Sequence, residues 1–315
     1  MLNRIKRFRR ALVLLAIPTL ALPVAAQYQP NFAWVPPEDR MLTDLGDGLS
    51  VVTLSMPGNV AILSGPDGIL MVDNQMPPND AQLVGDVETA SGMEASDVRF
   101  VINTHVHPDH LGSNALWSQR GANIIAHDNV SVTLANAAYF DTAISPVTGA
   151  SAAEMQPIVS YSTDIRLHVN GQTVHVVHPG AAHSNGDSIV YFEEANAVHT
   201  GDIYLNTAFP VIDPAGSLDG LIAALEGIAS RIDDDTIIIP GHGELSNKAE
   251  LLAYTGKIRE MRDILVGLAE QGLSLEEAVA AKPLARFEEE FDLLIGFLPP
   301  ELIVAQSYNA ILEGR

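Results

Sequence analysis

The sequence contains no cysteine. Disulfides are excluded, and any metal must be held by histidine, aspartate or glutamate alone. Basic residues are also scarce: 17 Lys and Arg stand against 39 Asp and Glu, a formal net charge of −22. A surface of that sign repels phosphate backbones and argues against a nucleic-acid partner. Acidity by itself speaks to solubility and habitat, not to fold. Internal repeats and clear linkers are missing too. The apolar run Ala11 to Leu22 is short for a bilayer span and is interrupted by Pro18. It follows Arg4, Lys6, Arg7, Arg9 and Arg10 and precedes the small residues Val24-Ala25-Ala26. Residues 1–26 are therefore expected to be a cleaved secretory signal, leaving a periplasmic or secreted protein without a stable membrane anchor. Arg9-Arg10 matches a twin-arginine signal only loosely.

At 315 residues and 47% hydrophobic content the chain can bury a full core. Residues 27–48 are Pro-rich and are expected to form an irregular strap. Three short β-type runs follow, Leu49–Ser55, Asn59–Ser64 and Ile69–Asp73, separated by Met-Pro-Gly-Asn and Gly-Pro-Asp-Gly turns. Asn79–Ala90 has helical apolar spacing and closes at Gly92. Val98–Thr104 reads as a buried strand, Leu116 and Trp117 as part of a short helix, and Asn123–Ala126 as another strand. Residues 128–162 begin as helix and continue Ser/Thr/Ala/Pro-rich around Tyr139, Phe140 and Met155, either a flap or a plain surface excursion. Asn170-Gly171 joins two strands as a hairpin. Ser188–Phe192, Ala197–Thr200 and Thr236–Ile239 are further strands, and Ser217–Ser230 is an amphipathic helix. From Lys248 the chain is helical, with a capping box at Ser274 and Glu277. The expected organisation is one α/β core domain over 49–247 with a helical extension, 248–315, packed on it, two sheets lying between helical layers.

Chemistry concentrates in Asn103-Thr-His-Val-His-Pro-Asp-His-Leu-Gly112, where His105, His107, Asp109 and His110 fall within six residues. At the frayed end of a strand, positions i and i+2 point the same way, so His105 and His107 can grip one ion together. Asp109 and His110 lie past the strand and can be aimed at a second. Nitrogen and carboxylate oxygen suit zinc. Three later residues follow strands and sit near glycine: His183 in His-Pro-Gly-Ala-Ala-His-Ser, Asp202 in His-Thr-Gly-Asp, and His242 in Pro-Gly-His-Gly. Their shared position at strand ends that converge on one sheet edge makes them candidate donors. His168 and His175 alternate within strands and are expected at the surface. His127, His178 and His199 stand near strand ends, as loop residues or as groups that orient a ligand.

In these residues the chain resembles the metallo-β-lactamase-fold superfamily, whose hallmark is His-x-His-x-Asp-His followed by a distant His, Asp and His. The resemblance covers roughly residues 49–245. It implies an αββα sandwich with a metal site at the common edge of two sheets. It also implies a cofactor of two zinc ions per chain, one held by His105, His107 and His183 and the other by Asp109, His110 and His242, with Asp202 between them. Asp73 matches a position that supports the site from behind. An aspartate at 202 looks more like the glyoxalase II, lactonase and general hydrolase branches, since many β-lactamases of this fold have cysteine there. The sequences around His183 and His242 are nevertheless similar to those of the lactamases. His107 departs from the di-iron reductase branch, which usually has Glu at that position.

The implied activity is hydrolysis by a hydroxide shared between two zincs, which lower the pKa of bound water to about 7. Its small-molecule substrate would be a neutral or partly apolar ester, lactone or lactam. Asp109 is a candidate to orient the hydroxide, and Tyr204 to hydrogen-bond the carbonyl or the developing oxyanion. Substrate contacts are expected from Met56–Asn59, from part of 128–162 and from Tyr204–Ile212. The rival readings are a β-lactamase proper, an iron-dependent oxygenase built mainly on His105 and His107, and a non-catalytic ligand binder.

Overall fold

The computed structural model describes residues 39–294 and 298–314. The expected signal, residues 1–26, and the strap as far as residue 38 lie outside the described residues. Among the described residues no helix is long and apolar enough to cross a membrane.

Among the described residues, twelve strands form two sheets. The first takes its strands in chain order: β1 (Met41–Gly46), β2 (Leu49–Thr53), β3 (Val60–Gly65), β4 (Gly68–Val72), β5 (Val98–Ile102), β6 (Asn123–His127) and β7 (Val159–Tyr161). Tight turns join β1 to β4 as an antiparallel meander, whereas β4 to β7 run parallel through helical crossovers. The second sheet has the order β12-β11-β10-β9-β8, built from β8 (Asp164–Val169), β9 (Gln172–Val177), β10 (Ile189–Phe192), β11 (Ala197–His199) and β12 (Ile237–Ile239). The β8–β9 hairpin turns at Asn170 and Gly171 with φ of 54° and 77°, the left-handed backbone that this dipeptide tolerates.

Period-2 alternation sorts each strand's side chains between two cores. In β4, Leu70 and Val72 join Leu49, Val51, Val174, Val176 and Phe192 in the layer between the sheets. Ile69 and Met71, on the other face, pack with Leu83 and Val87 of the helix Asp80–Ser91 and with Trp117. On the outer face of the second sheet lie the helices Leu218–Arg231, Lys248–Glu270 and Pro300–Leu312, which share one apolar cluster with Ile189, Val198 and Ile238. The order of layers is helix, sheet, sheet, helix: the αββα sandwich with C-terminal helices. Ser274 accepts from the backbone N–H of Glu277, and the Glu277 carboxylate accepts back from Ser274 N–H, so the capping box forms as the sequence implies.

Three expectations need correction. Residues 41–46, assigned to the irregular strap, form the edge strand β1 paired with β2. Within the 128–162 excursion, Val159–Tyr161 form β7 at the opposite edge. His175 is buried, not a surface residue. It does point away from the inter-sheet core, but Arg231, the last residue of the helix Leu218–Arg231, reaches down to it at 2.7 Å, and Asp164 closes on its other nitrogen at 3.1 Å.

Candidate metal centre

The strand that leads into the histidine motif ends earlier than expected, at Ile102. Residues 103–107 are an irregular descent, and Pro108 then starts the single turn Pro108–Leu111 that carries Asp109 and His110. His105 and His107 therefore converge through this loop's shape, not through strand alternation. His183 lies in the loop after β9, Asp202 in a 3-10 turn directly after β11, and His242 in the Gly241-His242-Gly243 loop after β12. Each comes from a strand end on the same sheet edge.

The convergence produces two groups of donors, His105, His107, His183 and Asp202 in one and Asp109, His110 and His242 in the other, with the candidate ligand atoms in each within 4.8 Å of one another. Two ligands about 2.1 Å from a tetrahedral zinc stand about 3.4 Å apart, and the observed separations bracket that value. In the first group His183 Nε2 is 3.1 Å from His107 Nδ1, and Asp202 Oδ2 is 3.8 Å from both His105 Nε2 and His183 Nε2. In the second, His242 Nε2 lies 3.2 Å from His110 Nε2 and 3.3 Å from Asp109 Oδ2. Asp202 Oδ1 faces this second group, 3.1 Å from His110 Nε2 and 3.5 Å from His242 Nε2. One carboxylate thus offers one oxygen to each group.

Each imidazole is oriented through its far nitrogen. His110 Nδ1 donates to Asp73 at 2.7 Å, His183 Nδ1 to the Val211 carbonyl at 2.8 Å, and His242 Nδ1 to the Ser55 carbonyl at 2.8 Å. His105 Nδ1 meets Thr104 Oγ1 at 3.0 Å, while that hydroxyl donates to Asp73 at 2.7 Å. His107 is turned the other way round, with Nε2 lying 3.0 Å from both oxygens of Asp213. With these far nitrogens donating, each of the five rings when neutral would turn its lone pair to the cluster, the arrangement that fits a metal. The sequence reading anticipated Asp73 and missed Asp213 and Thr104.

Two observations test the fit for metal. Among the described residues, His105 Nε2 and Asp202 Oδ1 are buried polar atoms without a hydrogen-bond partner, and such atoms call for a partner that protein does not supply. Glycine, moreover, leaves room where any side chain would intrude. A Cβ at Gly241 would fall 2.0 Å from Asp202 Oδ1, and one at Gly58 2.3 Å from His110 Cε1. The donor set has no sulfur, and its nitrogens and carboxylate oxygens suit zinc. The residues fit a pair of ions.

Without metal the cluster holds protons. Burial pulls the His107 pKa down, but Asp213, Asp109 and Asp202 outweigh it and lift it to about 9. His242 is likewise held down by burial and raised, by Asp202 and Asp109, to about 9. Asp109 is pushed up by burial yet brought to about 2 by His110 and His242. A ligating imidazole must be neutral, so metal displaces these protons. Apparent zinc affinity should therefore climb as pH rises from 7 through about 9. In the second group His110, lifted against burial by Asp202, Asp109 and Asp73, carries a proton as well as His242. Two displaced protons would give a slope approaching about 100-fold per pH unit there. Calorimetry in buffers of different ionisation enthalpy would check this by showing net proton release near pH 7. A flat profile would mean that these histidines are already neutral.

Residues 55–242 match the family model for the metallo-beta-lactamase superfamily. The chain belongs to that superfamily. Its members are mostly metal-dependent hydrolases, which supports an enzyme here. Similar proteins include a metallo-beta-lactamase type 2 from Bacillus cereus, 21% identical over 203 residues, covering 63% of this chain and 72% of the relative. A hydroxyacylglutathione hydrolase from a Polaromonas species is 23% identical over 205 residues, covering 64% of this chain and 69% of the relative. Among solved structures, a metallo-beta-lactamase from Pontibacter korlensis superposes with a TM-score of 0.57 at 17% identity, over 70% of this chain and 99% of the other. At that identity the likeness concerns the fold.

Tyr204 does not take the place expected for it. The 3-10 turn Gly201–Ile203 that presents Asp202 sends the next side chain into the core. Tyr204 is fully buried, its ring packs edge-on against Tyr254, and its hydroxyl meets Ser246 Oγ at 2.8 Å and donates to Asn206 at 3.2 Å. It is a packing residue. Tyr204→Phe should leave turnover within about twofold and cost roughly 1 kcal/mol of stability for the lost hydrogen bonds, read from denaturant unfolding.

Proposed function

We propose that this protein is an exported, zinc-dependent hydrolase with two ions per chain, opening the acyl bond of a small ester, lactone or lactam. The observation that carries the reading is the placement of Asp202, whose two oxygens face two separate donor groups while Oδ1 and the neighbouring His105 Nε2 find no hydrogen-bond partner. His105, His107 and His183 would hold one zinc, and Asp109, His110 and His242 the other, with Asp202 shared. The chemistry that zinc held by these residues would supply is a nucleophilic water at neutral pH and polarisation of the substrate carbonyl.

The chain's own residues do the rest. Asp73 and Thr104 fix the rings of His105 and His110, and Asp213 fixes His107. Asp109 is held as a carboxylate with a pKa near 2 and is the least buried of the second group, its side chain 14% exposed. It can accept a hydrogen bond from the attacking water and orient it, and it would be freed to act as a general base only if the second ion were lost. No serine or cysteine nucleophile is needed. Superfamily membership and the full set of seven donors favour this reading over an iron oxygenase, which would leave His110 and His242 without a role, and over a non-catalytic binder. The lactam alternative draws support from the relatives named as metallo-beta-lactamases, and the ester alternative from the hydroxyacylglutathione hydrolase. The net charge of −22 makes a small molecule, not nucleic acid, the expected partner.

The test is turnover by the zinc-loaded protein of a chromogenic cephalosporin, a carbapenem, an aryl ester, a lactone and a glutathione thioester. Hydrolysis of one class, abolished by a chelator and restored by zinc, supports the proposal. No turnover of any class, together with iron as the metal bound, would overturn it.

A further inference from the structure

Between the helix Asp128–Leu134 and β7 the chain makes a series of short turns, Ala137–Tyr139, Phe140–Ile144, Ser145–Thr148 and Ala152–Met155. The base of this segment is tied to the loop that carries His183: Asn129 Nδ2 donates to the Asn185 carbonyl at 2.6 Å, and a Cβ on Gly186 would meet Val130 at 3.1 Å. Its apolar residues Phe140, Ile144 and Met155 share a cluster with Val106 and Leu111, the residues interleaved with His105, His107 and His110. The segment is thus docked on two of the three strand-end loops of the first donor group, those that carry His183 and the His105–His110 motif.

Tyr139 packs against that cluster and is half-buried. The Asn136 side chain accepts from the backbone N–H groups of Ala138 and Tyr139, which fixes the turn. The π-helical turn Phe140–Ile144 begins at the next residue, an irregularity often found at functional sites. Among the described residues no hydrogen bond reaches the Tyr139 hydroxyl. Burial first, and then the Asp213 and Asp109 carboxylates, push its ionisation well above the ordinary value, so it stays a neutral donor on the side of the centre where those two acids stand. Asp213 is 17% exposed and His107 21% by side chain, which marks the same side as the one open to solvent.

We propose that Tyr139 is a substrate-binding residue, brought by the 137–155 segment to the Asp109–Asp213 side of the centre, whose hydroxyl donates a hydrogen bond to an oxygen of the substrate's acyl portion. This rests on the hydrolase reading and deepens it. A neutral phenol hydroxyl that feels the field of two carboxylates suits a carbonyl or amide oxygen, an acceptor without the full charge that those acids would repel.

The experiment uses zinc-loaded full-length protein and two small thiols, mercaptoacetamide and ethanethiol, followed by calorimetry. Thiolate sulfur binds zinc in both, and only the first has an oxygen for Tyr139 to reach. Tyr139→Phe, which keeps the ring packing, should weaken mercaptoacetamide by about 5- to 10-fold and leave ethanethiol within twofold. Zinc content should equal that of the unaltered protein. On whichever substrate of the panel is hydrolysed, kcat/KM should fall by about 10- to 100-fold. Equal effects on the two thiols, no effect on either, or loss of zinc from the variant would overturn the proposal. A thiol difference in a protein that hydrolyses nothing would support Tyr139 as a ligand donor while sinking the hydrolase reading. Failure of the unaltered protein to bind either thiol would overturn both.

Discussion

Asp202→Asn is expected to hold about one metal ion per chain in place of the two proposed for the unaltered protein, and to lose well over about 100-fold of its turnover. The cause is the division of labour within one carboxylate. Oδ2 faces His105 and His183 at 3.8 Å, and Oδ1 faces His110 and His242 at 3.1 and 3.5 Å. An amide of the same shape offers a single acceptor oxygen and an NH2 that repels a cation. Residues that only orient a ligand already cost about 10- to 100-fold when removed, so a group that itself faces both ions should exceed that range. The substitution also removes the negative charge that helps hold His110 and His242 protonated in the metal-free protein. Metal content by plasma mass spectrometry, with turnover on the active substrate, would check both parts. Two ions and turnover within threefold of the unaltered protein would show that Asp202 is a bystander.

Asp73→Ala should affect both donor groups and stability together. Asp73 directly follows β4 at a left-handed backbone position, φ 63°, and is fully buried. Its carboxylate accepts from Thr104 N–H, from the Thr104 hydroxyl and from His110 Nδ1, each at 2.7 Å. Through Thr104 it also steadies His105. Alanine there leaves buried donors without an acceptor, a loss of about 3–5 kcal/mol for a broken buried pair. For a domain of this size that lowers Tm by roughly 6–15 °C. Metal affinity should fall by about 10- to 100-fold at each position. Asp73→Asn has a single acceptor oxygen, so serving Thr104 N–H turns its NH2 toward His110 Nδ1 and the Thr104 hydroxyl; it should recover part of the Tm and little of the affinity. If both variants melt and bind metal like the unaltered protein, the orienting role is wrong.

Much of this arrangement was legible in the sequence, for physical reasons that can be named. The inner strands announce themselves because both faces are buried: Gly68-Ile-Leu-Met-Val72 is an unbroken apolar run bounded by turn residues. Edge strands lack that signal. Met41–Gly46 and Val159–Tyr161 are short and largely exposed, so β1 and β7 have no pattern strong enough to read. The seven donors could be picked out because several histidines, aspartates and glycines recur at strand ends. Asp213 carries no such mark. It stands 106 residues from His107, in the bland run Val211-Ile212-Asp213-Pro214, and only the fold brings the two together.

Tyr204 shows the opposite failure. Its closeness to Asp202 in sequence suggested a shared site, but one 3-10 turn aims the two side chains to opposite sides. Periodicity does not report a turn of that kind. The neighbour the site does have, Tyr139, lies in a Ser/Ala/Pro-rich segment whose helical turns are too short for sequence spacing to define.

The central claim is that two zinc ions sit on either side of Asp202. Diffraction data collected across the zinc absorption edge on crystals of the purified protein would test it most directly. The account predicts two anomalous peaks per chain, one among His105, His107 and His183 and one among Asp109, His110 and His242, each within bonding distance of an Asp202 oxygen. A single peak, or a signal at the iron edge and none at zinc, would contradict it.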